Sequence, residues 1–398
     1  MDFRPTSEQL RWKRTFDERI AAEMRSAPPE FHNGGMQGIY GSPEGFAFHR
    51  RMARVFGEEG WLGLSWPSRY GGRDRSPMEH FLFFESVAEH EAPGVDAMAV
   101  RMFAPTLLLG GTEEQKERLL PPILRGEATY CQGWSEPNAG SDLASLGTTA
   151  IRDGDAYVVN GQKIWTTGAH LAEFMFLLAR TDPASTRSRG LSMFHLRMDT
   201  PGLVVRPIES MTGRHFAEVF FEDVRIPARD LIGAEGEGWS LTRATMNFER
   251  SGIGSFLRIR NVVGKLVRYA KTTTRDGRLL AEDPSVREKL ARLATMVEVG
   301  RSLSYAIAWY QTHEGLDLPA HLASESKLFA TRAETMLATY GTEILGPYGQ
   351  LLDSEWTPLG GQLTELYQET VATNIAGGSS EIQRNIIAWA GVGLPRVG

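Results

Sequence analysis

Two stretches pair turn-forming residues with side chains able to hold a ligand. Tyr130 to Asp142 reads YCQGWSEPNAGSD, an extended run that stops at a tight turn. Pro137 fixes its φ there, and Asn138, Gly140 and Ser141 are turn formers. About twenty residues on comes NGQKIWTTGAH, where Asn160-Gly161 predicts a hairpin turn followed by a strand carrying Trp165, Thr166 and Thr167. Small hydroxyls and backbone N–H groups beside an aromatic side chain suit a flat, polar ring system. An ordinary β-domain with well-made turns would carry the same pattern.

Glu249 is the most informative single residue. On one continuous helix its same-face neighbours would be Thr245, Met246, Gly252 and Ile253. A carboxylate on such a face is partly desolvated, which raises its pKa toward the range of a general base. Gly252 and Gly254 would leave room for a ligand, whereas a structural ion pair with Arg250 would also account for Glu249. Arg250 itself reads equally as a carboxylate clamp or a surface charge. Ser379, Ser380 and Glu381 open the last helix, as an N-cap box or a place for an anion. Trp134 and Trp165 read as stacking walls or core aromatics.

Three kinds of segment must position these residues. Up to residue 126 the chain reads as helices: 7–27, 44–59, 77–88, 95–109 and one capped by Thr112, with 30–44 as a loop. From 127 to 235 short apolar or alternating runs such as AYVVN, FMFLLAR and EVFFEDVRI recur between turn residues, the pattern of a small antiparallel sandwich or barrel. From 236 to 398 the helical period returns. One helix is predicted from about Trp239 to Lys271, then a polar loop, helices from Pro284 and Pro319, and a last helix at Ser379-Ser380. The fold class is α+β with three domains, 1–126, 127–235 and 236–398, and no βαβ repeat.

Composition narrows the function. Of 398 residues, 41% are apolar and 23% charged, enough for a sizeable core, and the net charge of −6 gives no support for nucleic-acid binding. A single cysteine, Cys131, rules out an internal disulfide, and the nine histidines form no HExxH or close pair, so a metal site has no support. The charged N-terminus lacks an apolar signal region, and no run approaches a membrane span. A cytoplasmic, soluble protein is expected.

Taken together, WLGLSWPSRYGG, GTEEQKERLLPPILRGE, WSEPNAGSD, NGQKIWTTGAH, LIGAEGEGW, NFERSGIG and SSEIQRNIIA, in this order, resemble the flavin-dependent acyl-CoA dehydrogenases. The resemblance implies a helical N-terminal domain, a middle β-domain and a C-terminal four-helix bundle, usually assembled as tetramers. It implies FAD as cofactor, an acyl-CoA substrate, removal of the α-proton by a carboxylate, hydride transfer to the flavin, and reoxidation by an electron-transfer flavoprotein. On this resemblance Gln132, Trp134 and Ser135 line the flavin, Ser141 lies near flavin and pantetheine, Trp165 flanks the ring and Thr167 approaches its N5. Ser379 and Glu381 fall on the adenosine and pyrophosphate side. Asn247 and Arg250 order the substrate, and the backbone N–H at Gly377 faces the thioester oxygen.

Three positions depart from the family pattern. Gly377 stands where short- and medium-chain members carry the base, so the base is expected in Phe248-Glu249-Arg250, as in isovaleryl-CoA and long-chain types. Thr273 replaces an arginine that grips the FAD pyrophosphate, with Arg275 nearby, and Glu343-Ile344-Leu345-Gly346-Pro347 replaces Gln-x-x-Gly-Gly. These departures are similar to steroid-degrading bacterial members and raise a heterotetramer with a related chain as an alternative to a homotetramer. A non-catalytic half-site subunit and a flavin oxidase or monooxygenase on the same fold are the competing readings.

Overall fold

The computed structural model describes residues 3–29, 31, 35–249, 252–313, 318–352 and 354–396, with the side chains of 214 and 247–249 outside the description. Helices α1 (Ser7–Met24), α2 (Met36–Tyr40), α3 (Pro43–Glu58) and α4 (Pro77–Glu89) come first. A π-helical turn, Ala97–Phe103, runs into α5 (Ala104–Gly110), and α6 (Glu113–Leu124) follows. Thr112 and Gln115 close a reciprocal capping box at the start of α6.

Strands β1 (Tyr130–Gly133), β2 (Thr149–Asp153), β3 (Ala156–Lys163), β4 (Phe174–Arg180), β5 (Leu191–Arg197), β6 (Leu203–Ser210), β7 (Gly213–Pro227) and β8 (Leu231–Ile232) form one sheet. Its order is β6-β7-β3-β2-β4-β5-β8, with β1 attached to β4. The long ladders are antiparallel as expected, but β1 runs parallel to β4, Tyr130 opposite Phe174 through Gly133 opposite Leu177. Inward-facing Tyr157, Val159, Met175, Leu177, Phe194, Val219 and Phe221 build the core on this sheet. Each such side chain contributes roughly 1.5–3 kcal/mol by leaving water.

Helices α7 (Gly238–Glu249) and α8 (Ile253–Thr272), a small hairpin of β9 (Thr274–Arg275) and β10 (Arg278–Leu279), then α9 (Pro284–Thr312), α10 (Ala320–Leu345), α11 (Gln362–Thr373) and α12 (Ser380–Ile386) complete the chain. The chain packs as two compact units: Met1–Ala21 with Pro77–Ala92 and Arg250–Gly398, and Ala22–Ser76 with Pro93–Glu249. In the first unit Phe256, Ile259, Val263, Leu266, Leu293, Leu337 and Leu363 share the bundle core. Met78, Phe81 and Leu82 of α4 pack with Ile253, Leu257 and Ala308.

The structure corrects four local expectations. The helix predicted from Trp239 to Lys271 is two helices: Gly252 takes φ +71, a left-handed conformation no helix interior accommodates. Asn160-Gly161 is not a hairpin turn but lies inside β3, where the register with β7 shifts. A Cβ on Gly161 would sit 2.5 Å from Thr148 Oγ1, so the glycine permits close approach of that segment, while the extra residue of the register shift lies on β7, where Val224 and Phe221 face Val159 and Gly161. The strand ends at Lys163, leaving Trp165, Thr166 and Thr167 in a turn. The polar loop after Thr273 is a hairpin whose Asp276-Gly277 pair takes φ +53 and +78, the type I′ signature. The structure also has α11, which the sequence reading passed over, and α2 inside the expected 30–44 loop.

Candidate active site

In the unit containing the sheet, the two motif stretches are brought side by side. Glu136 and Ala139 pair across a turn whose centre is Pro137-Asn138. The Ile164 N–H donates to the Ser135 carbonyl at 2.9 Å. Lys163, fully buried, donates to the Trp134 carbonyl at 3.0 Å and to Glu136 Oε1 at 2.8 Å. Glu136 in turn accepts the N–H of Gly147 at 2.6 Å and of Thr148 at 2.9 Å. Burial pushes the Lys163 ammonium down to about 8 against the pull of Glu136. Burial alone would raise Glu136, but the charge and hydrogen bond of Lys163 outweigh it and hold the carboxyl below its ordinary value.

The following turn is held from the other side. Thr166 N–H donates to Ala217 O at 3.0 Å and Gly168 N–H to His215 O at 2.8 Å. Trp165 sits at φ +60, is 57% exposed, and meets Phe216 edge-on at 5.9 Å. Trp134 is buried, edge-on to Phe176 at 5.6 Å. Gln132, on β1, and Ser135 and Thr167 are half-buried, and Ser141 is exposed.

These residues fit the edge of an isoalloxazine. The buried Trp134 indole N–H and Thr166 hydroxyl have no protein partner. Among the described residues the side chains of Gln132, Ser135, Ser141 and Thr167 make no hydrogen bond either. A wall of unspent donors and acceptors beside an exposed, strained tryptophan is what a planar ligand with alternating polar edge atoms would engage.

Helix α7 is fixed within the same unit. Thr245 is fully buried, donates to Leu241 O at 2.7 Å and shares a short hydroxyl contact with Thr106 of α5. Leu241 packs where a Cβ on Gly110 would stand. Glu249 is the last described residue of α7, four residues after Thr245. The side chains of Asn247 and Glu249, and the whole of Arg250, lie outside the described residues.

The C-terminal residues lie in the other unit. Gly377 takes φ +64, is exposed, and a Cβ there would meet open space. Gln383, buried, donates to the carbonyls of Gly377 at 2.9 Å and Gly378 at 3.2 Å. Ser379 Oγ accepts the Ile382 N–H at 3.4 Å as the N-cap of α12, and exposed Glu381 pairs with Arg384 at 3.0 Å. Arg275 donates to Ile344 O at 2.6 Å, at the C-terminal end of α10, with its guanidinium against Gly346. No group of three metal-ligating side chains occurs among the described residues.

The sequence reading missed Lys163 and Glu136. A signal existed: Lys163 keeps the inward parity of Tyr157 and Val159 on β3, and an inward charge requires a partner.

Upstream, Asp96 starts the π-helical turn by accepting from Ala99 N–H at 2.9 Å and also takes Tyr130 N–H at 3.1 Å, tying that turn to β1. His49 Nδ1 accepts Gly94 N–H at 3.0 Å, so its ring is neutral there. Burial, helped by Arg50, pushes His49 down to about 4, and burial pushes Asp96 up to about 6 despite its hydrogen bonds. The unfolded chain therefore protonates His49 first, and the stability from neutral His49 is lost as pH falls from 6.5 to about 4, worth about 3 kcal/mol. Asp96 acts oppositely: the folded chain protonates first, and about 3 kcal/mol returns as pH falls from about 6 to 3.8. The two terms offset in wild type. His49→Gln keeps an acceptor for Gly94 but removes the acid-labile term, so relative to wild type it should gain up to about 3 kcal/mol between pH 7 and pH 4.5. Thermal melts across that range check this, and parallel pH profiles would contradict it.

Comparison with known proteins agrees with this architecture. Models of the acyl-CoA dehydrogenase N-terminal, middle and C-terminal domains match residues 40–127, 131–224 and 236–391. The chain is 39% identical to acyl-CoA dehydrogenase IpdE1 of Mycobacterium tuberculosis over 91% of its length and 92% of that protein. It is 33% identical to acyl-CoA dehydrogenase FadE26 of the same organism over its full length and 99% of that protein. Among solved structures, the Tcur3481-Tcur3483 steroid acyl-CoA dehydrogenase superposes with a TM-score of 0.88 at 31% identity, covering all of both chains. The ChsE4-ChsE5 complex from Mycobacterium tuberculosis gives 0.88 at 32% identity with the same coverage. The chain belongs to the acyl-CoA dehydrogenase family of oxidoreductases.

Proposed function

We propose that this chain catalyses the α,β-dehydrogenation of an acyl-CoA thioester to the trans-2-enoyl-CoA, with FAD as its cofactor and Glu249 as the base. Bound FAD would supply the hydride acceptor. Gln132, Trp134, Ser135, Trp165 and Thr167 would hold the flavin, and Ser141 its flank and the pantetheine arm. Arg275, Ser379 and Glu381 would serve the adenosine and pyrophosphate side. Asn247 and Arg250 order the thioester, and the N–H of Gly377 donates to its carbonyl oxygen as charge develops there.

The observation that carries the reading is the place of Glu249 in the last described turn of α7, ahead of the left-handed Gly252. The last turn of a helix carries the negative end of its dipole, which disfavours a carboxylate's charge and strengthens it as a base. Gly377 has no side chain to compete for that role. Glu249 takes the α-proton while the β-hydride leaves, so the electron pair of the broken α-C–H bond forms the double bond.

The substrate we favour is a thioester with a steroid-derived acyl group, and the electron acceptor an electron-transfer flavoprotein. Support comes from the steroid acyl-CoA dehydrogenase neighbour and from a 27% identical structure titled as the electron transferring flavoprotein of Acidaminococcus fermentans. Adding acyl-CoA esters to the flavin-loaded protein without oxygen tests this: steroid side-chain thioesters should bleach the flavin, and electron-transfer flavoprotein should restore it. Oxygen restoring it at turnover rate would favour an oxidase, the activity named for the 26% identical structure AnaB.

A second reading concerns assembly. Thr273 stands in place of a gripping arginine, which favours a heterotetramer in which a related chain completes, with Arg275, the flavin's phosphate grip. The neighbour described as a ChsE4-ChsE5 complex supports this. One FAD per subunit in the chain purified alone would favour a homotetramer. We place the protein in the cytoplasm, in keeping with the lack, among the described residues, of any helix long and apolar enough to cross a membrane.

A further inference from the structure

Among the described residues, the Lys163–Glu136 pair is the one charged cluster in the sheet-bearing unit that touches both motif stretches at once. Lys163 Nζ reaches Trp134 O at 3.0 Å and Glu136 Oε1 at 2.8 Å, with no solvent exposure of its side chain. Glu136 spends its remaining capacity on the N–H groups of Gly147 and Thr148, at 2.6 and 2.9 Å. One ion pair therefore joins the end of β3, the turn after β1 and the entry to β2. The Ile164 N–H to Ser135 O bond, at 2.9 Å, lies directly beside it.

Stability does not explain such a pair. Desolvating two charges costs about as much as their attraction returns, and apolar residues of similar volume often serve a fold as well or better. What an apolar pair cannot do is fix a peptide by direction. The Lys163 ammonium holds the Trp134 carbonyl, which sets the peptide that leads into Ser135. The same side chain leaves the strand two residues before Trp165 and four before Thr167.

We propose that Lys163, with Glu136, is a positioning residue: the pair sets the spacing between the Gln132–Ser135 segment and the Trp165–Thr167 turn, and thereby the geometry in which the flavin is held. The inference rests on the reading of these two segments as the flavin wall. It does not require Lys163 to touch the flavin.

The test compares wild type, Lys163→Met and the double variant Lys163→Met/Glu136→Gln. The single variant strands a buried carboxylate and can lose folding for that reason alone. The double variant removes the charge while glutamine keeps an acceptor for one backbone N–H. It should therefore melt closer to wild type than the single variant does. Its FAD should nevertheless bind at least about tenfold more weakly, with altered visible circular dichroism of the bound flavin. In the apo proteins, amide exchange at Gly147 and Thr148 should be faster in the double variant than in wild type. A double variant that binds FAD with wild-type affinity and dichroism overturns the inference, as does unchanged exchange at those two amides. Wild-type protein that takes up no FAD, either alone or assembled with the related chain of the heterotetramer, would remove the flavin-wall reading and this inference with it. That failure is distinguishable, because it appears before any substitution is made.

Discussion

Glu249→Gln should fold, keep its flavin and turn over acyl-CoA thioesters at least about a thousandfold more slowly than wild type. The glutamine amide is close to the carboxylate in size, so packing around the end of α7 is conserved. Its proton affinity is far too low to take a weakly acidic α-proton. The ground state loses little, because a carboxylate serving as base acts chiefly in the transition state. The loss should therefore appear in the rate of flavin reduction and in kcat, with the affinity for thioester nearly unchanged. Rapid-mixing measurement of flavin bleaching, with flavin content and melting temperature as controls, decides it. Reduction at the native rate would move the base elsewhere, and Gly377 is not an available place for it.

The second large effect is on stability. Gly252→Ala should destabilise the unit that holds the bundle by about 2–5 kcal/mol, from two separable causes. The backbone there takes φ +71, which costs a residue with a Cβ roughly 1–2 kcal/mol. The new Cβ would also stand 2.6 Å from Ser326 Oγ and 3.3 Å from a ring carbon of Phe256, both fully buried side chains, and such overpacking costs about 1–3 kcal/mol. Gly254→Ala provides the contrast. It lies in helix α8 with nothing within 4 Å of its Cβ, so alanine there should stabilise by about 0.5–1 kcal/mol. Denaturant unfolding of the two variants should move the midpoint in opposite directions. Equal shifts would mean that Gly252 is not held in its left-handed conformation.

Gly252 also marks the limit of what periodicity can say. The apolar residues Phe248, Phe256, Ile259, Val263 and Leu266 continue a helical pattern in the sequence across the break, where α7 buries Leu241 and Thr245 and α8 buries Phe256, Ile259, Val263 and Leu266. A hydrophobic period records which residues are inside, not whether the backbone between them stays helical. Gly252 beside Glu249 suggests space for a ligand, and in the backbone it also permits a left-handed turn. Asn160-Gly161 misled in the same way. The dipeptide suits a hairpin, but the ladder from β3 to β7 runs across it, and the glycine lets Thr148 approach its backbone.

Local chemistry did determine much of this protein. Thr112 with Gln115 capped its helix, and Pro137-Asn138 made its turn, because those preferences act within four residues. The three-segment order, helical then β then helical, followed from the change of apolar period along the chain, and the ordered motifs pointed to the family. Tertiary structure alone decided that α4 packs with the bundle helices and that Gly252 takes a left-handed conformation between α7 and α8. It alone decided that Lys163 and Glu136 meet inside the sheet unit. Their attraction depends on both being withdrawn from water together, and no spacing along a chain encodes that.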